Sequence, residues 1–223
     1  MVSYERLVLI FYSFSKLLII LRDLRCSREP FCLNIRPELG YLTSCAIGPD
    51  RNWMLAGTNH GYVSLWDIRY QMMVKLWRHS SGQPVSRLAT CHTVLPQDKS
   101  NGTQTERKPY FFIGCGKNEA SIFDVSTGIC RQCFRVIDDQ FTNKAMLPES
   151  YISMPSLREI EFPYDKSRPI DFARNERLQT RTKPFEPNIA SLIGRIGMTG
   201  KSYLVTGGSD RFLRYWDFTS PER

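Results

Sequence analysis

An all-β fold built from repeated antiparallel units is predicted by three observations. A glycine followed nine residues later by an aromatic-Asp pair occurs three times: Gly57 with Trp66-Asp67, Gly114 with Phe123-Asp124, and Gly207 with Trp216-Asp217. Each glycine closes a short apolar run (Trp53-Met54-Leu55-Ala56, Tyr110-Phe111-Phe112-Ile113, Tyr203-Leu204-Val205-Thr206) and opens a polar turn. The 14 Gly and 13 Pro of the 223-residue chain lie scattered among short apolar runs, as expected of a protein with many turns.

The elements follow in order. Residues 7–21, LVLIFYSFSKLLIIL, are apolar and follow Arg6. A secretory signal or a membrane anchor is one reading. Against it, Lys16 interrupts the run, no small-x-small cleavage site follows, and Arg22-Asp23-Leu24-Arg25 comes directly after. About 15 residues is also short for a membrane span. A buried strand pair is expected instead, with residues 1–16 left as an apolar segment of uncertain role. Asp23 precedes Asp67 by 44 residues, and Asp23-Leu24-Arg25 echoes Asp67-Ile68-Arg69. Arg22 stands where the aromatic would be and Ser13 where the glycine would be, so this copy is degenerate.

In the first well-formed copy, strands are expected at residues 42–47, 53–56, 63–66 and 74–77. Val63 and Leu65 share one face there, as period-2 alternation requires. The second copy uses residues 85–90, 110–113, 120–123 and 129–136, and the polar stretch 96–109, PQDKSNGTQTERKP, is an inserted loop. The sequon Asn101-Gly102-Thr103 falls in that loop. The last copy uses residues 189–196, 203–206 and 213–216. Four short strands ending on Trp-Asp form the pattern of a WD40 β-propeller blade. The expectation is therefore blades over residues 17–136, a loop-rich insertion over 137–187, and a further blade over 188–223. The insertion holds six of the prolines and no Gly-to-aromatic unit, although a degenerate blade within it is an alternative. Three good copies and one poor one fall short of a closed ring of ~4–8 blades. The propeller is expected to be incomplete and the chain a piece of a larger one.

Chemistry is sparse. No phosphate-binding loop, dinucleotide fingerprint, nucleophile elbow, zinc-protease helix or kinase signature occurs, so no catalytic residue and no cofactor are assigned. Cys130-Arg131-Gln132-Cys133 is a lone CxxC without a second pair, and His60, His79 and His92 supply no zinc spacing, so no metal is expected. The net charge of +8 comes without a Lys/Arg block, which argues for a solvated basic surface and against nucleic acid. Asp67, Asp124 and Asp217 are read as structural, Trp66 and Trp216 as packing aromatics, and Asp210 and His60 as turn residues. Trp66-Asp67-Ile68-Arg69 also resembles the WDxR box of cullin-4 ubiquitin-ligase receptors, which makes Arg69 a candidate partner contact.

Three stretches, GTNHGYVSLWDIRYQMMVKLWRH (57–79), NEASIFDVSTG (118–128) and LVTGGSDRFLRYWDFTSPER (204–223), resemble the propeller of the vacuolar protein sorting 15 family, the regulatory subunits of class III phosphoinositide 3-kinases. The resemblance covers residues 17–134 and 189–223. It implies a non-catalytic scaffold in contact with the lipid-kinase catalytic subunit and its autophagy and endosomal adaptor subunits. It also implies cytoplasmic location, with peripheral attachment to endosomal or autophagic membranes only through the complex. Members of this family carry a protein-kinase-like domain, for which this sequence holds no motif. A cullin-4 substrate receptor is the alternative.

Overall fold

The computed structural model describes residues 8–13, 18–23, 31–93, 108–115, 119–134, 155–160, 189–196, 202–209 and 211–218. Among them are fifteen strands and one 3-10 turn, Pro37–Leu39. The strands form four antiparallel sheets. The first holds β1 (Val8–Ser13), β2 (Leu18–Asp23) and β3 (Phe31–Asn34). The second holds β4 (Leu42–Ile47), β5 (Trp53–Thr58), β6 (Tyr62–Asp67) and β7 (Met72–His79). The third holds β8 (Arg87–Thr93), β9 (Lys108–Cys115), β10 (Glu119–Asp124) and β11 (Cys130–Phe134). The fourth holds β13 (Ile189–Ile196), β14 (Ser202–Gly208) and β15 (Leu213–Asp217). β12 (Leu157–Glu159), from within the 137–187 insertion, adds to the outer edge of β7.

The three glycine-to-aromatic copies have one register. Gly57 pairs with Val63, Gly114 with Ala120 and Gly207 with Leu213. Trp66 lies opposite Met54, Phe123 opposite Phe111 and Trp216 opposite Leu204. In the second and third sheets a bulge falls immediately before the aromatic, between Leu65 and Trp66 and between Ile122 and Phe123. A bulge shifts one strand against its neighbour and strengthens its twist at that point. The N-terminal hairpin departs from this pattern by one residue, since Ser13 pairs with Leu18. Residues 7–21 thus supply the strand pair β1–β2, and Ile19 on β2 is fully buried.

Packing runs between sheets. Ile19 and Leu33 of the first sheet meet Met54, Ala56, Tyr62, Trp66 and Leu76 of the second. Leu55, Val63, Leu65 and Trp77, on the opposite faces of the second sheet, meet Leu88, Phe111, Ile113 and Phe123 of the third. Tyr110, Phe112, Ile122 and Phe134 of the third meet Ile189, Leu204 and Trp216 of the fourth. The closing aromatic of each copy therefore packs against the preceding sheet. β5 and β6 are buried on both faces because the second sheet lies between the first and the third. The first strands of successive sheets lie side by side, β4 against β8 and β8 against β13.

The inserted loop is shorter than expected at its end: Lys108 and Pro109 belong to β9, opposite Thr93 and His92. Pro109 has no N–H to give, but its carbonyl accepts from Val125 at 3.3 Å. Residues 94–107, with the sequon, lie outside the described residues.

Trp77, Phe111 and Phe123 stack across the junction of the second and third sheets, with centroids 5.7 and 5.6 Å apart. Phe111→Ala removes the central ring of that stack. It should cost about 3–5 kcal/mol, seen as a lower denaturant midpoint with little change in slope.

Candidate interaction surface

The repeat residues occupy structural posts. The Trp66 indole donates from Nε1 to Ser64 Oγ at 2.9 Å, and Ser64 donates onward to the Ala56 carbonyl at 3.3 Å. Trp216 donates to Thr206 Oγ1 at 2.9 Å. The two buried indoles are satisfied from different strands, since position 56 is an alanine where position 206 is a threonine. Phe123 has no such donor and relies on stacking alone.

Asp67 and Asp124 cap the turns that follow them. Asp67 Oδ1 accepts from the Arg69 backbone N–H at 2.8 Å and the Tyr70 N–H at 3.3 Å. Asp124 Oδ1 accepts from the Ser126 N–H at 2.8 Å and the Thr127 N–H at 3.3 Å. Each carboxylate also meets an arginine: Asp67 pairs with Arg69 at 2.8 Å and Asp124 with Arg131 at 3.2 Å. The Arg69 side-chain hydrogen bond holds the Asp67 carboxyl down at about 2. Burial pushes the Asp124 carboxyl up, but the hydrogen bonds from Ser126, Arg131 and Thr127 outweigh it and the net shift is downward. Asp217 ends β15 opposite Tyr203. Asp210 lies outside the described residues. His60 sits in the β5–β6 turn beside Gly40, where a Cβ would fall 2.8 Å from its Nδ1. Gly40 has a positive φ of 84°, so two constraints hold that position to glycine.

Arg69 is folded back on Asp67 through Nε and Nη2, and its guanidinium lies 5.4 Å from the Tyr70 ring centroid. Its side chain remains 55% exposed.

No group of three metal-ligating side chains exists among the described residues. No disulfide joins the six described cysteines to one another. Burial pushes Cys45 up to about 11 and Cys115 up to about 12, which keeps both protonated and poor as nucleophiles. No described helix is long and apolar enough to cross a membrane.

Two groups of exposed apolar side chains were not foreseen as surface. Tyr70, Met72 and Val74 lie on the β6–β7 turn and the outer strand, while Ile129 lies on the matching turn of the third sheet. Lys75 Nζ on β7 donates to the Ser126 carbonyl at 2.7 Å and ties that strand to the β10–β11 turn. The second group is on β15. Leu213 is 80% exposed and Tyr215 64%, whereas their counterparts Val63, Leu65, Ala120 and Ile122 are buried. The alternation is the same in all three copies. The difference arises because no following sheet covers that face of β15 among the described residues. Tyr215 stacks on Tyr203 at 5.3 Å, and Arg214 covers Phe212.

The Asp124 cap predicts a pH dependence. Its folded-state pKa is depressed, so its stabilising effect is full above the ordinary carboxylate range and is lost as pH falls below about 4. Asp124→Asn should lower stability at neutral pH and flatten the acid limb of a stability-against-pH curve. Ser64→Ala, which strands the Trp66 N–H, should cost about 1–3 kcal/mol at every pH.

Comparison with known proteins agrees with this geometry. The WD40 family (WD domain, G-beta repeat) matches residues 35–67, which span β4 to β6. The chain is 31% identical over 215 residues to the serine/threonine-protein kinase VPS15 of Arabidopsis thaliana, covering 96% of this chain and 14% of that protein. It is 24% identical over 198 residues to a putative serine/threonine-protein kinase VPS15 of Komagataella pastoris, covering 88% of this chain and 13% of that protein. Among solved structures, the Saccharomyces cerevisiae Sqt1 superposes with a TM-score of 0.50 at 11% identity over 92% of this chain and 39% of that one. That likeness concerns the fold alone. Among the described residues the propeller is incomplete, because the first and fourth sheets have three strands each. The WD40 array is a non-catalytic fold, and the kinase in the relatives' names is theirs. The chain is a WD40-repeat segment, homologous over nearly all its length to one part of the VPS15 proteins.

Proposed function

We propose that this chain serves as a scaffold within the regulatory subunit of a class III phosphatidylinositol 3-kinase complex. The observation that carries the reading is the continuous similarity to VPS15 over 96% of the chain. Stacked rigid sheets that present turns at their ends suit protein contact, and the exposed apolar groups at Tyr70, Met72, Ile129, Leu213 and Tyr215 offer area for it. The proposed partners are the lipid-kinase catalytic subunit and its autophagy and endosomal adaptor subunits. The chain then resides in the cytoplasm and reaches endosomal or autophagic membranes peripherally, through the complex.

Co-purification with the lipid-kinase catalytic subunit tests this reading. Trp66→Ala should weaken recovery by unfolding its sheet, since losing a packed aromatic costs about 3–5 kcal/mol. Arg69→Ala should leave both folding and lipid-kinase recovery nearly unchanged, because it removes one exposed ion pair. Recovery of a cullin-4 adaptor that depends on Arg69, with no lipid kinase, would overturn the proposal.

A further inference from the structure

The outer edge of β7 is occupied by the chain itself in an unusual way. Residues 155–160 lie within the insertion between the third and fourth sheets, yet they dock on the second. Leu157 stands opposite His79, Arg158 opposite Arg78 and Glu159 opposite Trp77. The Ser80 N–H donates to the Ser156 carbonyl at 2.8 Å, the Ser156 N–H to Ser80 Oγ at 3.0 Å, and the Ile160 N–H to the Leu76 carbonyl at 2.8 Å. Leu157 packs on the cluster shared by the second and third sheets, and Ile160 packs on the cluster at the opposite face. Glu159 pairs with Lys75 at 3.8 Å. This is the chemistry of an extended peptide added to a sheet edge: main-chain hydrogen bonds hold it, and alternate side chains select it.

The attachment is also built to be weak. β12 has three residues, against eight in β7. Its register sets Arg158 directly across from Arg78, and like charges in that position oppose pairing. The Lys75–Glu159 pair is long and its carboxylate is 52% exposed, so it adds little in return.

We propose that the outer edge of β7 is a peptide-docking site and that residues 155–160 are its exchangeable ligand, held in cis. The ligand class is an extended segment with aliphatic side chains three residues apart, as at Leu157 and Ile160. A carboxylate one residue before the second aliphatic faces Lys75, as Glu159 does. Covalent linkage keeps the segment at a high local concentration, so a short, weak strand suffices to fill the edge.

The first test replaces residues 155–160 of the full chain by a Gly/Ser stretch of the same length. A fluorescein-labelled peptide of residues 153–162 is then titrated and followed by anisotropy. Saturable binding to the replaced chain, at least tenfold tighter than to the unaltered chain, is the expected result. A peptide carrying Leu157→Asp should lose that binding. No binding to a replaced chain that keeps its far-ultraviolet spectrum, or equal binding to both chains, overturns the proposal. Hydrogen exchange on the unaltered chain gives an answer even if the replacement unfolds it. The Ser80 and Ile160 amides should exchange at least tenfold faster than the β6 amides, through local opening. Equal protection would make β12 an integral strand and overturn the proposal as well.

Discussion

The structure depends on how closely successive sheets approach at their glycines. A Cβ on Gly57 would lie 2.6 Å from Val85 Cγ1, and one on Gly114 would lie 3.2 Å from Ile189 Cγ2. Val85 leads into β8 and Ile189 begins β13, so each glycine receives the side chain that starts the next sheet. Neither glycine has the positive φ that would otherwise explain it. The repeat keeps a glycine there because the neighbouring sheet needs the volume. Gly207 obeys a related limit inside its own sheet, where a Cβ would lie 2.5 Å from Ser191 Oγ. From that approach follow the clusters between the second and third sheets and between the third and fourth, with the backward packing of Phe123 and Trp216.

The clusters make the molecule a chain of nearest-neighbour contacts, as in other repeat architectures. The second and third sheets each have their two faces taken by different partners. Where a partner is absent among the described residues, the same side-chain pattern becomes surface, and β15 shows this at Leu213 and Tyr215. Turn chemistry is more local. Asp67 and Asp124 each satisfy two backbone N–H groups in the turn after the aromatic, and each takes one arginine, although the arginine comes from different places. Both carboxylates are thus occupied with holding turns.

The hairpins were legible because the nine-residue interval carries its register with it: one spacing, three identical ladders. β4 and β13 fall on the residues expected for the strand upstream of each hairpin. The N-terminal strand pair was legible from hydrophobicity, but not its ladder, one residue tighter, since Ser13 and Arg22 give no fixed point. β12 was invisible for a different reason. Three residues on an edge have no period to detect, and what places Leu157–Glu159 is an edge that lies 78 residues away in sequence, Leu157 against His79. The exposure of β15 was equally hidden, because a strand's pattern tells which residues share a face and not what covers it. The sequence placed Gly57 and Gly114 where an apolar run opens into a turn, and the side chains of the adjoining sheet are what require glycine there.

A double-mutant cycle on Gly57 and Val85 tests that central constraint most directly. Gly57→Ala alone should destabilise the chain by about 1–3 kcal/mol through overpacking, and Val85→Ala alone by roughly as much through the lost side chain. If the sheets meet at this contact, the second substitution makes room for the first. The pair should then be less destabilised than the sum by about 1 kcal/mol or more in denaturant unfolding. Additive effects within about 0.3–0.5 kcal/mol would mean the two sites do not touch, and would contradict the account.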